Sequence, residues 1–340
     1  MEHRLLGRSG CSVSTLALGT MTLGSETDED GSRAQLDAFV AAGGNLIDTA
    51  DVYSGGASEE IVGRWLATSS PEVRDAVVIA TKGRFRMGPD ANDLGLSRRH
   101  LQRAVDGSLR RLGVDCIDLY QVHAWDPMTP LDETLRALDD MVRVGKIRYV
   151  GLSNFTGWQI QKAVGLARMH GLAAPITLQP QYNLLVREIE WEIVPACLDA
   201  GLGLLPWSPL GGGWLTGKYQ RDTAPVGATR LGEDPDRGVE AYSRRSTQDR
   251  TWDVIDVVRR VADERGASMA QVALAWLVDR PGVTSVILGA RTVDQLQDNL
   301  AAATLHLHPA ETAALDVASD PSPVDYPYGG PGEEQRSRMP

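Results

Sequence analysis

Short apolar runs and amphipathic stretches alternate along nearly the whole chain. The runs lie near residues 15–18, 45–48, 77–81, 117–122, 147–152, 176–179, 202–206 and 284–288, which makes eight strand candidates. Between them the apolar spacing becomes helical. Leu101, Val105, Leu109 and Leu112 fall at i, i+4, i+8 and i+11, and Leu131, Leu135, Leu138 and Val142 nearly repeat that spacing. Each such helix has one apolar stripe to lay on a sheet. Strands alternating with amphipathic helices imply parallel βαβ units, and eight units close most simply into an α/β fold of the (β/α)8 TIM-barrel type. An open, doubly wound sheet is the alternative. A hairpin-like stretch from Arg4 to Val13, turning at Arg8-Ser-Gly10, precedes the first unit.

Two segments break the alternation. Residues 222–250 are polar, with Gly, Pro and five arginines, and they predict a long loop after the seventh strand that serves as a lid or is mobile. From Ser319 the chain is again rich in Pro and Gly, and its extreme end, Glu-Glu-Gln-Arg-Ser-Arg-Met-Pro, is expected to fray. No linker divides the remainder, so the expected organisation is one barrel domain over 1–318 and a partly flexible tail over 319–340.

Composition narrows the function more than the fold. With 42% hydrophobic and 23% charged residues in 340, the chain is of ordinary globular type and long enough for a large core. Its net charge is -11 and no basic stripe is visible, which argues against nucleic acid or an anionic membrane and for a small-molecule partner. The start Met1-Glu-His-Arg-Leu has no signal-peptide character and no run approaches the ~20 apolar residues of a membrane span, so a cytoplasmic protein is expected. Cys11, Cys116 and Cys197 are scattered without metal-type spacing, so neither a disulfide framework nor a metal site is expected.

Four residues carry the candidate chemistry. Asp48, Lys82 and His123 end the apolar runs Asn45-Leu-Ile-Asp48, Ala76-Val-Val-Ile-Ala-Thr-Lys82 and Cys116-Ile-Asp-Leu-Tyr-Gln-Val-His123, and Tyr53 follows the first by five positions. In a parallel barrel the carboxyl ends of the strands converge on one mouth, where the active site is built. Singly, each has a bland reading as a loop cap, a solvated amine or a core histidine. Together at the same end of successive strands they are far more specific. A nearby ammonium would favour the Tyr53 phenolate and lower its pKa from about 10, making proton donation to a carbonyl oxygen easier. Lys82 then needs Asp48 as counter-ion, and a neutral His123 can donate a second hydrogen bond to the same oxygen.

Read as whole motifs, these segments resemble a known family. Asn45-Leu-Ile-Asp-Thr-Ala-Asp-Val-Tyr53 with Ser58-Glu-Glu, then Thr81-Lys82, His123-Ala-Trp-Asp126 and Gly145-Lys-Ile-Arg-Tyr-Val-Gly-Leu-Ser-Asn154-Phe are similar to the aldo-keto reductases over about Leu5 to Leu305. His-x-Trp-Asp, with Pro206-Trp-Ser-Pro-Leu210, resembles the bacterial branch that includes potassium-channel β subunits and nucleotide-sugar reductases. The resemblance implies a (β/α)8 barrel that reduces an aldehyde or ketone with NADPH, with Asp48, Tyr53, Lys82 and His123 as catalytic tetrad and Tyr53 as general acid. It also implies cofactor contacts. Gly19, Thr20, Met21 and Asp48 lie on that side of the mouth; Ser153, Asn154 and Gln179 match positions that hold the carboxamide; Trp207, beside Ser208, would stack on the nicotinamide. The run Leu210 to Gly213, including Gly212, would wrap the pyrophosphate with Lys218, while Gly289, Arg291, Gln295 and Asn299 match the adenosine end.

No Gly-x-Gly-x-x-Gly follows a strand, so a Rossmann site is not supported. Gly212-Gly-Trp-Leu-Thr-Gly-Lys218 has Walker A spacing, but Tyr219 stands where Ser or Thr should bind magnesium. Thr292 and Gln295 are spaced as a capping box, which leaves Arg291 free beside a helix start to meet a 2′-phosphate. Two other functions fit parts of this pattern: a regulatory binding subunit of the same fold, and an aldolase using Lys82 as a Schiff base, which the Asp48 counter-ion disfavours. The pocket walls expected from Met21, Phe85, Trp125, the 222–250 segment, Tyr326 and Tyr328 do not identify the substrate.

Overall fold

The alternation resolves into ten strands among the residues that the computed structural model describes, 1–227 and 229–336. β1 (His3–Leu5) and β2 (Ser12–Ser14) form the antiparallel hairpin. β3 (Leu16–Gly19), β4 (Leu46–Asp48), β5 (Val78–Gly83), β6 (Ile117–Val122), β7 (Ile147–Ser153), β8 (Thr177–Gln179), β9 (Gly203–Leu204) and β10 (Val286–Leu288) make one parallel sheet, ordered β10-β3-β4-β5-β6-β7-β8-β9. The ring closes through backbone bonds from Leu204 N to Gly282 O at 2.8 Å and from Thr284 N to Leu204 O and Ile287 N to Pro206 O at 2.9 Å. A barrel follows, not a doubly wound sheet.

Strand alternation then decides what faces the axis. Ala17, Leu46, Ala80, Leu119, Leu205 and Ile287 form one buried cluster with Leu6 and Val13 of the hairpin, which plugs the amino-terminal end. Two residues further along those strands stand Gly19, Asp48, Lys82, Gln121, Trp207 and Gly289. The apolar plug and the polar mouth are thus consecutive layers of one interior.

Outside the sheet the helical stripes pack as their spacing requires. Helix Arg98–Leu112 buries Leu101, Val105 and Leu112, starts where Ser97 accepts a bond from His100 N, and ends at Gly113, whose φ of 66° an L side chain rarely adopts. Helix Leu131–Arg143 buries Leu131, Leu135 and Leu138.

The 222–250 segment, expected as a long loop that serves as a lid or is mobile, is partly helical. It contains helical turns Arg230–Glu233, Gly238–Glu240 and Tyr242–Arg245, and its last two residues already belong to helix Asp249–Arg265. Three anchors hold it. Leu231 is fully buried, Trp214 stacks on Tyr242 with centroids 5.5 Å apart, and buried Glu240 accepts bonds from Gln181 and, at 2.7 Å, from Arg245. The tail also docks: Arg187 donates to Ser319 Oγ at 2.9 Å, and Tyr328 stacks on Trp191 at 5.5 Å. The residues of its extreme end, 337–340, lie outside those described.

One acid between sheet and helices is poorly accommodated. Glu59 is fully buried but accepts bonds from Thr81 Oγ1 at 2.5 Å and Arg111 Nε at 2.7 Å. Asp51, equally buried, has no well-aligned hydrogen-bond partner on either oxygen among the described residues. Burial, and then the charge of Glu59, raise its carboxyl pKa from 3.8 to about 7. Between those values the unfolded chain has lost this proton and the native state keeps it, so the stability this group contributes is present at low pH and disappears as pH rises through 7. Asp51→Asn removes the titration. Relative to wild type, the variant should gain on the order of 2–4 kcal/mol in urea unfolding on going from pH 5 to pH 8. An equal difference at both pH values would show that Asp51 is not held protonated.

Candidate active site

At the mouth, β5 delivers Lys82 beside β4 and the loop that follows it. Lys82 Nζ donates to Asp48 Oδ2 at 2.6 Å, to Thr49 O at 2.8 Å and to Tyr53 Oη at 3.2 Å, which uses all three ammonium protons. The Lys82 side chain has no exposed surface. The other carboxylate oxygen of Asp48 accepts from Gln179 Nε2 at 2.8 Å and Gln121 Nε2 at 3.2 Å. The ion pair is therefore satisfied on both sides, the condition under which a buried pair is tolerated. Burial alone would lower the Lys82 pKa, but Asp48 and then Tyr53 outweigh it and hold the ammonium above its ordinary value.

The tyrosine expectation needs correction. Lys82 does pull the Tyr53 phenol down, yet burial outweighs it and leaves the pKa above the ordinary 10.0. Sequence shows a cation nearby but not how little water surrounds the hydroxyl. Tyr53 is consequently protonated at neutral pH, with an ammonium in place to stabilise the phenolate once the proton leaves. His123 meets it edge-on, ring centroids 5.9 Å apart, and Phe85 lies 4.7 Å from His123 on a second side. Burial, with Lys82 and Arg84 adding like charge, lowers the His123 pKa to about 3, so the imidazole is neutral. Its Nδ1 is enclosed without a hydrogen-bond partner among the described residues.

The residues expected at the carboxamide form one connected group. Ser153 Oγ donates to Gln179 O at 2.9 Å, Asn154 Nδ2 donates to Ser153 Oγ at 3.1 Å and to His123 O at 2.9 Å, and half-buried Trp207 donates from Nε1 to Asn154 Oδ1 at 3.1 Å. Asn154 and Ser208 hold φ values of 56° and 54°, and Ser54, next to Tyr53, one of 50°. Left-handed backbone at non-glycine residues costs free energy and tends to gather at functional sites. Thr20 donates to Asp48 O from N and Oγ1 at 3.0 and 3.1 Å, and Met21 is exposed beside it.

Further out, Gly211, Gly212 and Gly213 are all left-handed, with φ of 57°, 65° and 100°, a turn no other residue type makes cheaply. The amides of Gly211 and Gly213 bond inside the turn to Ser208 O and Leu210 O, so two of the four amides expected to wrap a pyrophosphate are engaged. Lys218 lies against Gly213. It reaches the surface, yet partial enclosure, then Arg291 and Arg230, lower its pKa, marking a group of cations that crowd one another. Gly289 faces open space.

Two expectations at the adenosine end change. Thr292 caps its helix as its spacing predicts, accepting from Gln295 N, but Gln295 Oε1 accepts from Arg291 N at 2.9 Å and so reaches one residue further back than a capping box. Nor is Arg291 free. Its Nε donates to Glu26 at 2.7 Å and its two terminal nitrogens donate to the two oxygens of Glu233 at 2.9 Å each. Asn299 Nδ2 approaches Gly289 O at 3.5 Å.

Sequence reasoning missed Gln121, Glu26 and Glu233. Gln121 could have been found: it is the polar residue two before His123 in an apolar strand, hence on the same face. Glu26 and Glu233 sit in segments without periodicity, and nothing in the chain marks their partner.

Known proteins similar to this chain point to one family. The family model described as "Aldo/keto reductase family" matches residues 15–320. An uncharacterized oxidoreductase of Bacillus subtilis is 38% identical over 90% of this chain and 92% of its own length. The versiconal hemiacetal acetate reductase of Aspergillus parasiticus is 36% identical over 95% and 98%, and a probable voltage-gated potassium channel subunit beta of Arabidopsis thaliana is 37% identical over 89% and 91%. Among the described residues no helix is long and apolar enough to cross a membrane. On the match of its family model and of these relatives, the chain belongs to the aldo/keto reductase family of NAD(P)H-dependent oxidoreductases.

Proposed function

We propose that the protein reduces an aldehyde or ketone to the alcohol with NADPH, using Tyr53 as proton donor. The observation that carries this reading is the single ammonium, Lys82 Nζ, bonded at once to Asp48 Oδ2 at 2.6 Å and Tyr53 Oη at 3.2 Å. Bound NADPH would supply hydride to the carbonyl carbon. The protein must then place the carbonyl, stabilise the charge that develops on its oxygen and neutralise it. Tyr53 enters with its proton on and can pass it to that oxygen; Lys82 stabilises the phenolate left behind, and Asp48 keeps Lys82 charged. His123, neutral down to about pH 3, donates to the same oxygen without adding a charge that would repel Lys82. The aromatic ring of Phe85 beside His123 helps to exclude water.

The remaining mouth suits a dinucleotide laid across it. Trp207 would stack on the nicotinamide, with Ser153, Asn154 and Gln179 around its carboxamide. Gly19, Thr20 and Met21 would border it, and the turn from Ser208 through Leu210 and Gly212, with Lys218, would take the pyrophosphate. The open side of Gly289 leaves room for the adenosine, which Arg291, Gln295 and Asn299 would hold. The three left-handed glycines and the positive charge crowded around Lys218 support this placement, since anions gather where backbone amides and positive charge meet.

Proton donation and cofactor binding should separate. Tyr53→Phe removes one hydroxyl and little volume, so NADPH affinity should persist while kcat on an aldehyde and ketone panel falls roughly 10²–10⁴-fold. Near wild-type turnover in the variant would exclude Tyr53 as donor. If the wild type itself binds NADPH but turns over no member of the panel, a binding subunit of the same fold becomes the better reading.

Trp207 provides an optical check. NADPH binding should quench tryptophan fluorescence, and Trp207→Ala should remove most of the quench although seven of the eight tryptophans remain. An undiminished quench would move the nicotinamide to another aromatic.

A further inference from the structure

The guanidinium expected at the cofactor's 2′-phosphate already holds two carboxylates, and they come from two different segments of the chain. Glu26 belongs to the loop after β3 and accepts from Arg291 Nε at 2.7 Å, while its other oxygen pairs with Arg237 at 2.5 Å. Glu233 ends the helical turn Arg230–Glu233 of the 222–250 segment and takes the terminal nitrogens of Arg291 in a two-point fork at 2.9 Å each. These arrangements differ in permanence. The Glu26 side chain is 18% exposed and has Arg237 as a second partner, whereas that of Glu233 is 46% exposed.

We propose that Glu233 is a specificity-determining residue that competes with the 2′-phosphate for Arg291 and so reduces the preference for NADPH over NADH. This rests on the proposed role of Arg291. A carboxylate and a phosphate use the same planar fork of an arginine, so the terminal nitrogens cannot serve both fully. A phosphate arriving while Glu233 stays in place would also meet two carboxylates at short range. NADPH must therefore break the Arg291–Glu233 fork before it gains the arginine, and NADH, with a hydroxyl at that position, need not. Glu26 stays with Arg237 and orients Arg291 in both cases. The cost of releasing Glu233 is that of a partly exposed, well-formed ion pair, enough to shift selectivity but not to abolish binding.

The test is isothermal titration calorimetry of NADP+ and NAD+ with wild type, Glu233→Gln, Arg291→Ala and the double variant, with thermal unfolding of each to establish an intact fold. Glu233→Gln should tighten NADP+ roughly three- to tenfold, leave NAD+ within about twofold, and have no effect on NADP+ in the Arg291→Ala background. If Glu233→Gln weakens both nucleotides equally, Glu233 is a strap that closes the segment over the cleft, and the proposal is overturned. The same holds if it changes neither while Arg291→Ala weakens NADP+ alone. Should Arg291→Ala weaken both nucleotides alike, the 2′-phosphate assignment of Arg291 fails first, and Glu233 then has nothing to compete for.

Discussion

Lys82 is an ammonium with no exposed surface, and the barrel mouth is arranged around keeping it charged. Removing such a group from water costs several kcal/mol, which only close opposite charge and complete hydrogen bonding can offset. Asp48 supplies the charge, and Thr49 O with Tyr53 Oη uses the remaining protons. The carboxylate needs support as well, and Gln121 and Gln179, from two further strands, give it. One ion pair thus ties β4, β5, β6 and β8 together at the same level of the barrel. The position of Tyr53 follows from it, because its hydroxyl completes the coordination of the ammonium.

That same charge sets the proton inventory of the mouth. Lys82 stays protonated, His123 stays neutral because burial and the cations beside it disfavour a second positive charge, and Tyr53 keeps its proton because burial outweighs the pull of Lys82. A phenol poised in this way can give a proton when negative charge develops on a nearby oxygen. At the other end of the cleft the balance is reversed: Lys218, Arg230 and Arg291 crowd together, and Glu26 and Glu233 compensate them.

Much of this was legible because strand alternation is rigid. Asp48, Lys82 and His123 end apolar runs, so a parallel barrel brings them to one mouth whatever the loops do. The boundaries also follow the pattern, as with β6 at Ile117–Val122. What the chain did not reveal depends on distance and water. The rise in the Tyr53 pKa comes from enclosure, and no residue type announces enclosure. The 222–250 segment reads as a lid or a mobile loop because it is polar, yet one buried leucine, Leu231, and one buried carboxylate, Glu240, which accepts from Gln181 outside the segment, are enough to dock it. The pairing of Arg291 is invisible in the sequence because its carboxylate partners lie 58 and 265 positions away, in stretches without period.

Asp48 and Lys82 act as one unit, and a double-mutant cycle measures their coupling. Asp48→Asn, Lys82→Met and the double variant should be compared in urea unfolding at pH 7. Each single change leaves a buried charge without its partner and should cost about 3–5 kcal/mol, while the double change, which removes both charges, should cost several kcal/mol less than their sum. Additive costs would mean that the two groups do not depend on each other, and the account of the mouth built on their pairing would be wrong.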